Sequence, residues 1–366
     1  MISQIDYLAA KIIRNLHNCK DFCFFLPQGH KKASSLGPAK LLWQIVLRIA
    51  EKGLLLWAME EILKMFRENF PFVSREPETL AEVIGHEGNS IFTRRNPEGE
   101  LIACAIVNGQ TILLLVIDKG YRGQGIGDEL LRQCEETIRK NGFDKVVLGV
   151  GFNYLMPGVP TSKRWAPSVH ERLDPLVNTA ASDFFERRGY KHAWGACNCF
   201  DMRMQLKDFC QNDYQIGDTI NGIHYRWAVG SDLKDICLCA DDACQYQDES
   251  FSKYYRNADL YHEDSPQRVM VAEKLGRIVG TLIVSMETEG KDTGNVGCTC
   301  VATAETHQSI ATKMVMLGTR YLKDIGLKHA NLSYTYSNLD MMYGASGYEI
   351  STYYFMGEKV TNFCET

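Results

Sequence analysis

The feature that most constrains this chain is an internal repeat of one strand–turn–helix pattern. Ile126 and Ile310 take equivalent places at the start of a predicted helix, and Gly142 and Gly326 take equivalent places at its end, both pairs 184 residues apart. A chain of 366 residues is too long for one average domain. The repeat therefore predicts two copies of the same domain in tandem.

Within the first copy, strands and helices alternate. The apolar run Thr111 to Ile117 predicts a strand that leads into a glycine-rich turn, and Val146 to Val150 predicts a later strand. Between them, Gly127 to Lys140 predicts an amphipathic helix whose apolar face comprises Leu130, Leu131, Cys134 and Ile138. This order favours a mixed α/β (α+β) fold class over an all-β one.

The two copies differ in length. Phe184 to Tyr190 in the first copy matches Met342 to Tyr348 in the second, only 158 residues further on. The first copy therefore carries 26 additional residues, which lie between Gly151 and Asn178. We predict an N-terminal helical extension over residues 1–50, a first domain over 51–210 and a second over 211–366.

The composition argues against several classes of protein. The net charge of -5 and the pI near 6.0 do not fit a nucleic-acid surface, which needs a basic stripe. The most apolar stretch, Leu41 to Phe66, carries too many charges to span a membrane. The first residues do not resemble a secretory leader, and the odd count of 13 cysteines fits a reducing compartment. We therefore expect a cytoplasmic protein that binds neither nucleic acid nor membrane.

Three Cys-x-Cys pairs raise the question of a metal site: Cys197/Cys199, Cys237/Cys239 and Cys298/Cys300. Residues two apart face the same side of a strand, so each pair could ligate one ion. No Cys-x-x-Cys pair with matching histidines accompanies them. Burial in the core is the more common fate of cysteine, and we predict no metal.

The residues with the clearest chemical meaning are Arg122 to Gly127, Arg-Gly-Gln-Gly-Ile-Gly. They open a helix, where backbone N–H groups lack internal partners and the helix dipole favours negative charge. Glycine lets a phosphate approach closely, and Arg122 adds a positive charge. The spacing fits neither a Walker loop nor a Rossmann turn. A turn without any ligand, or a site for another phosphate compound such as a nucleotide, are the alternatives.

The turn resembles the signature Arg/Gln-x-x-Gly-x-Gly/Ala of the GCN5-related N-acetyltransferase (GNAT) superfamily, through Arg122, Gly125 and Gly127. Residues on both sides extend the resemblance. The family's strand beside the pantetheine arm is matched by Leu115, Val116 and Ile117, and its later helix by Asn178, Ala181, Gly189 and Tyr190. Beyond roughly the first 50 residues, the chain looks like two tandem acyl-CoA N-acyltransferase (GNAT) domains.

The resemblance implies that each domain is a mixed, twisted sheet flanked by helices. It also implies that two strands splay apart at a bulge beside the turn, which frees backbone groups for the pantetheine amides. The implied co-substrate is acetyl-CoA. The residues that the resemblance assigns to it are Leu115, Val116, Ile117, Arg122, Gly123, Gln124, Gly125, Ile126, Gly127, Asp128 and Asn178.

The second copy departs from this signature. Thr306 replaces the arginine, Ser309 the first glycine and Ala311 the second. Because the charge is lost and side chains crowd the phosphate position, we expect this copy to be a structural or substrate-shaping domain. Many family members use a tyrosine on the later helix to protonate the leaving thiolate. That position is Phe185 in the first copy, whereas the second copy keeps Tyr343, for which a core role is the better interpretation.

These features predict an N-acetyltransferase that moves an acetyl group to a primary amine of a small molecule or peptide by direct attack. Tyr154 and Asp118 are the candidate catalytic residues, although a packed loop and a turn would also explain them. Cys134 lies on an apolar helix face, so we expect no covalent cysteine intermediate. The alternative is a non-catalytic acyl-CoA-binding sensor or scaffold, which would fit Phe185. The oligomeric state is left open.

Overall fold

The structure, a computed structural model, describes residues 58–73, 77–149, 155–165, 168–193, 199–210, 214–245, 250–286, 292–336 and 339–361. The predicted N-terminal helical extension over residues 1–50 and the candidate Tyr154 lie outside these ranges.

Strands and helices are mixed along the chain as predicted, although several strands follow one another without a helix between them. In chain order the strands are β1 (Asn89–Arg95), β2 (Leu101–Asn108), β3 (Thr111–Ile117), β4 (Lys145–Leu148), β5 (Val159–Thr161), β6 (Lys191–His192), β7 (Cys199–Gln205), β8 (Thr219–Ile220), β9 (Ile223–Trp227), β10 (Gln267–Lys274), β11 (Arg277–Ser285), β12 (Thr293–Val301), β13 (His329–Tyr336), β14 (Glu349–Phe355) and β15 (Gly357–Val360). The helices are α1 (58–69), α2 (Pro77–Ile84), α3 (Ile126–Lys140), α4 (Ala180–Glu186), α5 (Leu233–Ala243), α6 (Ile310–Asp324) and α7 (Leu339–Gly344).

These strands form two sheets. The first has the order β1-β2-β3-β4-β15-β6, and the second has the order β5-β14-β7-β13-β12-β11-β10-β9-β8. Most neighbours are antiparallel, but β3 pairs with β4 in parallel, and β12 pairs with β13 in parallel. The predicted mixed α/β fold class is therefore confirmed.

Helices cover both faces of the first sheet. On one face α3 buries Leu130, Leu131, Cys134 and Ile138, the four residues that the helical periodicity predicts. On the other face α1 and α2 pack against alternate residues of β2 and β3. We call this second group the α1-face cluster; it includes Ile62, Phe66, Leu80, Ile106, Leu114 and Val116.

The equivalent helices of the two copies begin and end at equivalent residues. Helix α3 starts at Ile126 and helix α6 at Ile310, and both contain 15 residues. The sequence prediction that the two positions correspond is thus confirmed, and the start predicted at Gly127 moves by one residue. A terminal shift of this size is within the usual uncertainty of a helix end.

Each sheet contains a strand from the other half of the chain. Strand β7, which precedes the predicted boundary near residue 211, lies between β13 and β14 of the second sheet. Strand β15, near the end of the chain, lies between β4 and β6 of the first sheet. The division at residue 211 stays a prediction about the sequence repeat. In space, the two sheets exchange strands across it.

The additional segment of the first copy reaches the second sheet. Strand β5 pairs with β14, and the N–H groups of Arg172 and Asp174 donate to the carbonyls of Ile350 and Ser351, both at 2.9 Å. The segment therefore joins the first copy to the second through backbone hydrogen bonds. Within the described part of the chain, no helix is both long enough and apolar enough to cross a membrane.

Candidate acetyl-transfer site

The central strands of the first sheet pair over only part of their length. Thr111 and Ile112 of β3 pair with Val147 and Leu148 at the end of β4, and the described strands offer the rest of β3 no further partner on that side. On the opposite side, Leu113 is skipped in the register between β2 and β3, which marks a bulge. The predicted ligand residues Leu115, Val116 and Ile117 lie on this open stretch of β3.

The glycine turn follows this open stretch directly. Gly123 and Gly125 both have left-handed backbones, with φ of 77° and 83°, and helix α3 begins at Ile126. A Cβ atom on either glycine would meet nothing within 4 Å. The first N–H groups of α3 have no partner inside the helix. The turn therefore combines exposed backbone donors with open space, which suits an anion such as a pyrophosphate.

Arg122 has a structural role that the sequence did not reveal. Its Nε donates to the carbonyl of Ile117 at 3.0 Å, and its Nη2 donates to Oδ1 of Asn69 at 2.7 Å. The side chain thereby joins the end of α1 to the end of β3 while its charge stays exposed at the turn. Gln124 is similarly local, because its side-chain nitrogen donates to the carbonyl of Gly120 at 3.4 Å.

Helix α4 packs against the start of α3, and this contact explains the third glycine. A Cβ on Gly127 would lie 3.3 Å from the ring of Phe184 and 3.4 Å from the side chain of Ile117. Arg188 lies with its guanidinium 3.6 Å from the centre of the Phe184 ring and forms a 2.5 Å ion pair with Asp128. Phe184 and Arg188 were not among the predicted site residues. The signal in the sequence is their spacing, because residues four apart lie on the same face of a helix.

Two predicted residues act locally as turn and cap residues. Asp118 accepts the N–H of Gly120 at 2.9 Å, which closes the short turn before Arg122. Oδ1 of Asn178 accepts the N–H of Ala180 at 2.9 Å in the turn that leads into α4. A catalytic role for Asp118 and a cofactor contact for Asn178 stay predictions.

The position of the usual tyrosine is apolar in the first copy. Phe185 is buried against Tyr190, with ring centres 5.3 Å apart. Burial raises the pKa of Tyr190 well above its ordinary value, and its hydroxyl donates to Glu135 at 2.9 Å. In the second copy Tyr343 is also buried, and burial raises its pKa to about 12. Its ring packs against Tyr348, with ring centres 6.3 Å apart, inside the core of the second sheet.

The altered turn of the second copy keeps the backbone shape of the first. His307 and Ser309 have left-handed φ values of 65° and 58°, at the places of Gly123 and Gly125. Strands β12 and β13 also stop pairing after Asn295, so this pair splays as well.

The bulge of the second copy has an internal partner. The hydroxyl of the buried Tyr255 donates to the carbonyl of Cys298 and accepts a hydrogen bond from Thr281 Oγ1 at 2.8 Å. Cys298 itself has a left-handed φ of 50° at the register shift between β11 and β12.

The cysteine pairs do not mark a metal centre in the described residues. No group of three or more His, Cys, Asp or Glu side chains there could hold an ion. Cys199, Cys237, Cys239 and Cys300 are buried, and Cys298 is half-buried. Cys197 lies outside the described ranges.

Comparison with solved structures shows the same fold elsewhere. A GCN5-related N-acetyltransferase from Sphaerobacter thermophilus is 17% identical with a TM-score of 0.59, over 82% of this chain and 92% of that one. A tandem GNAT protein from the clavulanic acid biosynthesis pathway is 11% identical with a TM-score of 0.59, over 83% and 95%. At these identities the likeness concerns the fold alone.

A third structure is the GCN5-related glucosamine N-acetyltransferase region of a fungal multi-domain GH3 beta-N-acetylglucosaminidase. It is 18% identical with a TM-score of 0.60, and the match covers 82% of this chain but 37% of the fungal one. No curated protein matches the chain in sequence.

A family model settles the relationship. The Acetyltransferase (GNAT) family model matches residues 57–155 and residues 236–342, one segment in each copy and together more than half of the chain. The predicted tandem GNAT architecture is confirmed by these two matches and by the tandem structural neighbour. The chain therefore belongs to the acetyltransferase (GNAT) family, as a tandem pair of its domains.

Proposed function

We propose that the first copy is an acetyl-CoA-dependent N-acetyltransferase that transfers the acetyl group to a primary amine. The observation that supports this most is the combination in one place of an unpaired stretch of β3 and a glycine turn with open space. The unpaired strand offers backbone groups to the amides of a pantetheine arm, and the turn offers N–H groups to a pyrophosphate.

The reaction that we propose is direct attack of the amine on the thioester carbon. An amine of the lysine type has a pKa near 10.4, so about one molecule in a thousand or fewer is neutral at pH 7. A base must therefore remove a proton, often through water. Backbone N–H groups of the open β3 stretch would stabilise the oxyanion, and positioning of the two substrates supplies most of the remaining rate.

A cysteine intermediate does not fit the three buried thiols of the first copy, and its exposed thiol, Cys210, follows β7, which lies in the second sheet. Cys104 and Cys134 are fully buried, and burial raises the pKa of both to about 12. Burial also raises the pKa of Cys199. A thiol attacks as the thiolate, which these environments disfavour. Direct transfer is therefore preferred over a double displacement.

Phe185 supports one alternative function. A phenyl ring cannot protonate the departing thiolate, so a copy that only binds acyl-CoA, as a sensor or scaffold, would have no need of a tyrosine here. Turnover separates the two functions. We would incubate the protein with acetyl-CoA and a panel of amines that includes amino acids, peptides and glucosamine, and follow the release of free thiol.

Calorimetry of acetyl-CoA binding is the first test. We expect about one site per chain in the wild-type protein and none in Gly125→Glu, because a side chain at this turn fills the phosphate position. Two sites would mean that the altered turn of the second copy also binds. Absence of binding would contradict both the enzyme and the sensor.

A further inference from the structure

The first turn of α3 carries two carboxylates beside the proposed phosphate site. Asp128 and Glu129 follow Gly127 directly, and both belong to this turn. Negative side chains at a helix N-terminus are stabilised by the helix dipole. A pyrophosphate at the same helix end is repelled by them, because charges of one sign that lie close together disfavour each other. A phosphate site at this turn therefore requires that the two negative charges be offset.

Each carboxylate is paired with an arginine from another element of the first copy. Arg188, just after α4, donates from Nε to Oδ1 of Asp128 at 2.5 Å, and its Nη2 lies 2.5 Å from the same oxygen. Arg94 of β1 donates from Nε to Oε2 of Glu129 at 3.4 Å and from Nη2 to Oε1. The hydrogen bond from Arg94 lowers the pKa of Glu129, which favours the ionised carboxylate. The two ion pairs leave the first turn of α3 with no net side-chain charge.

The position of Arg188 is fixed by the packing of α4 on α3. Its guanidinium lies 3.6 Å from the centre of the Phe184 ring, and its Nη1 donates to the carbonyl of Phe184 at 2.7 Å. The same ring lies 3.3 Å from the place that a Cβ atom on Gly127 would take. All three guanidinium nitrogens of Arg188 therefore contact Asp128 or Phe184. This arrangement directs the guanidinium to the carboxylate at the start of α3.

The second copy lacks both partners of the equivalent pair. Thr312 and Lys313 stand where the first copy has its two acids, and the first turn of α6 carries no acidic residue. Ser346 stands in the place of Arg188, 158 residues further along the chain. The arginine and the carboxylates are thus absent together from the copy whose turn lacks the glycines. This joint absence favours a role in ligand binding over a role in forming the helix, because α6 forms without the pair.

We infer that Arg188 is a positioning residue of the cofactor site, which acts through Asp128 by cancelling the charge of this carboxylate beside the pyrophosphate. The inference rests on the acetyl-CoA binding proposed above. With the charge cancelled, the backbone N–H groups at the start of α3 meet the phosphates without a competing negative charge. Arg94 has the same relation to Glu129. Because Asp128 is exposed to solvent, the effect on binding is moderate and depends on salt.

Calorimetry of acetyl-CoA binding to five forms of the full chain tests this inference. They are the wild-type protein, Arg188→Gln, Asp128→Asn, the double variant that combines both changes, and Arg187→Gln as the control. Arg187 is the neighbouring, exposed arginine, so its substitution removes the same charge while the Arg188–Asp128 pair stays intact. Thermal unfolding of each protein without ligand shows whether a substitution changes stability.

The charges set the expected order of affinities. Arg188→Gln should bind acetyl-CoA about tenfold more weakly than Arg187→Gln, because Asp128 is left beside the phosphates without its partner. Asp128→Asn should bind about threefold more tightly than the wild-type protein, because a repulsive charge is gone and Arg188 remains. The double variant should lie within about threefold of the wild-type protein. In about 1 M salt, where the Debye length is about 3 Å, the loss in Arg188→Gln should fall to about twofold.

Four results would overturn the inference. The first is Arg188→Gln that binds as tightly as Arg187→Gln, and the second is Asp128→Asn that binds more weakly than the wild-type protein. The third is a double variant as weak as Arg188→Gln, which would mean that Arg188 contacts the ligand itself or holds the fold. The fourth is a loss in Arg188→Gln that persists unchanged in about 1 M salt, which would mean a structural defect instead of a charge effect.

Failure of this inference and failure of the proposed function give different results. Wild-type binding of acetyl-CoA together with any of these four results contradicts the inference alone. A wild-type protein that binds no acetyl-CoA contradicts the proposed function. Titration of the same five proteins with inorganic pyrophosphate, followed by phosphorus NMR, would then decide the inference, and absence of pyrophosphate binding to the wild-type protein would overturn it as well.

Discussion

The two turns of the tandem pair have one backbone shape and different side chains. Gly123 and Gly125 in the first copy, and His307 and Ser309 in the second, all have left-handed φ values between 58° and 83°. For a residue with a Cβ atom, this conformation costs about 1–2 kcal/mol of free energy. The second copy keeps the shape despite that cost, so the surrounding strand and helix dictate the turn. The backbone shape therefore does not by itself require glycine, and under the proposed function Gly123 and Gly125 would keep space open for the phosphate groups.

The second copy also has a side chain that binds the backbone at its bulge. In the second copy the carbonyl of Cys298 accepts a hydrogen bond from the buried Tyr255, whose hydroxyl in turn accepts one from Thr281. The backbone at this bulge is thus hydrogen-bonded by a side chain of the second copy itself. The comparison shows that the two copies keep equivalent turns and helices while the side chains around the turn and the bulge differ.

The largest expected effect concerns β15, a strand from the second half of the chain that lies in the first sheet. Ending the chain after Met356 removes β15, which lies between β4 and β6 and pairs Glu358 with Lys145 at 2.9 Å. Removal of an internal strand breaks two ladders at once, so we expect the first copy to unfold and acetyl-CoA binding to be lost. Calorimetry and hydrogen exchange in α3 would report this. A chain that ends after Thr361 is the control, and normal binding without β15 would contradict the prediction.

The next prediction tests whether the backbone shape of the turn or the open space around it decides acetyl-CoA binding. Ser309→Glu should leave acetyl-CoA binding unchanged, whereas Gly125→Glu should weaken it about 100-fold or more, because the loss of phosphate contacts in one turn amounts to several kcal/mol. The double variant His307→Gly, Ser309→Gly should still show one site per chain, since Tyr255 occupies the bulge of the second copy. A second site in that variant would show that the glycines alone restore binding.

Tyr255→Phe tests the internal bonds of the second copy. The change leaves the buried carbonyl of Cys298 and the hydroxyl of Thr281 without this partner, and such a loss costs about 1–3 kcal/mol of unfolding free energy. Urea unfolding would measure it. Tyr254→Phe, next in the chain and 49% exposed, is the matched control and should be neutral. Equal effects of the two variants would show that the hydroxyl of Tyr255 has no special role.

The smallest expected effect is the free-energy cost of the left-handed backbone at Ser309. Ser309→Gly should stabilise the protein by about 0.5–1 kcal/mol, because it relieves the left-handed strain but adds backbone entropy, and Gly125→Ser should destabilise it by about 1 kcal/mol. Gln308→Gly, which has no left-handed backbone to relieve, should destabilise the protein. Thermal unfolding of the three variants checks the signs, and a destabilising Ser309→Gly would contradict the strain.

Much of the fold could be predicted because its signals are local. The apolar face of α3, the strand Thr111–Ile117 and the equivalence of Ile126 with Ile310 all follow from periodicity and spacing. The glycine turn follows from residue type, since only glycine combines a left-handed backbone with close approach of a ligand. The bonds of Arg122 to Asn69 and of Arg188 to Asp128 could not be predicted, because they depend on how separate helices pack.

The sequence by itself determined the tandem pair of domains, the strand–turn–helix order of each, and the place of the glycine turn. Only the tertiary structure decided that β7 and β15 change places between the sheets, that Tyr255 closes the second bulge, and that Arg188 pairs with Asp128. The physical reason is the separation along the chain of the residues that interact. Periodicity and turn chemistry act over a few residues, whereas strand exchange pairs residues as far apart as Gln205 with His329 and Lys145 with Val360. No local pattern specifies which of two similar sheets a strand enters.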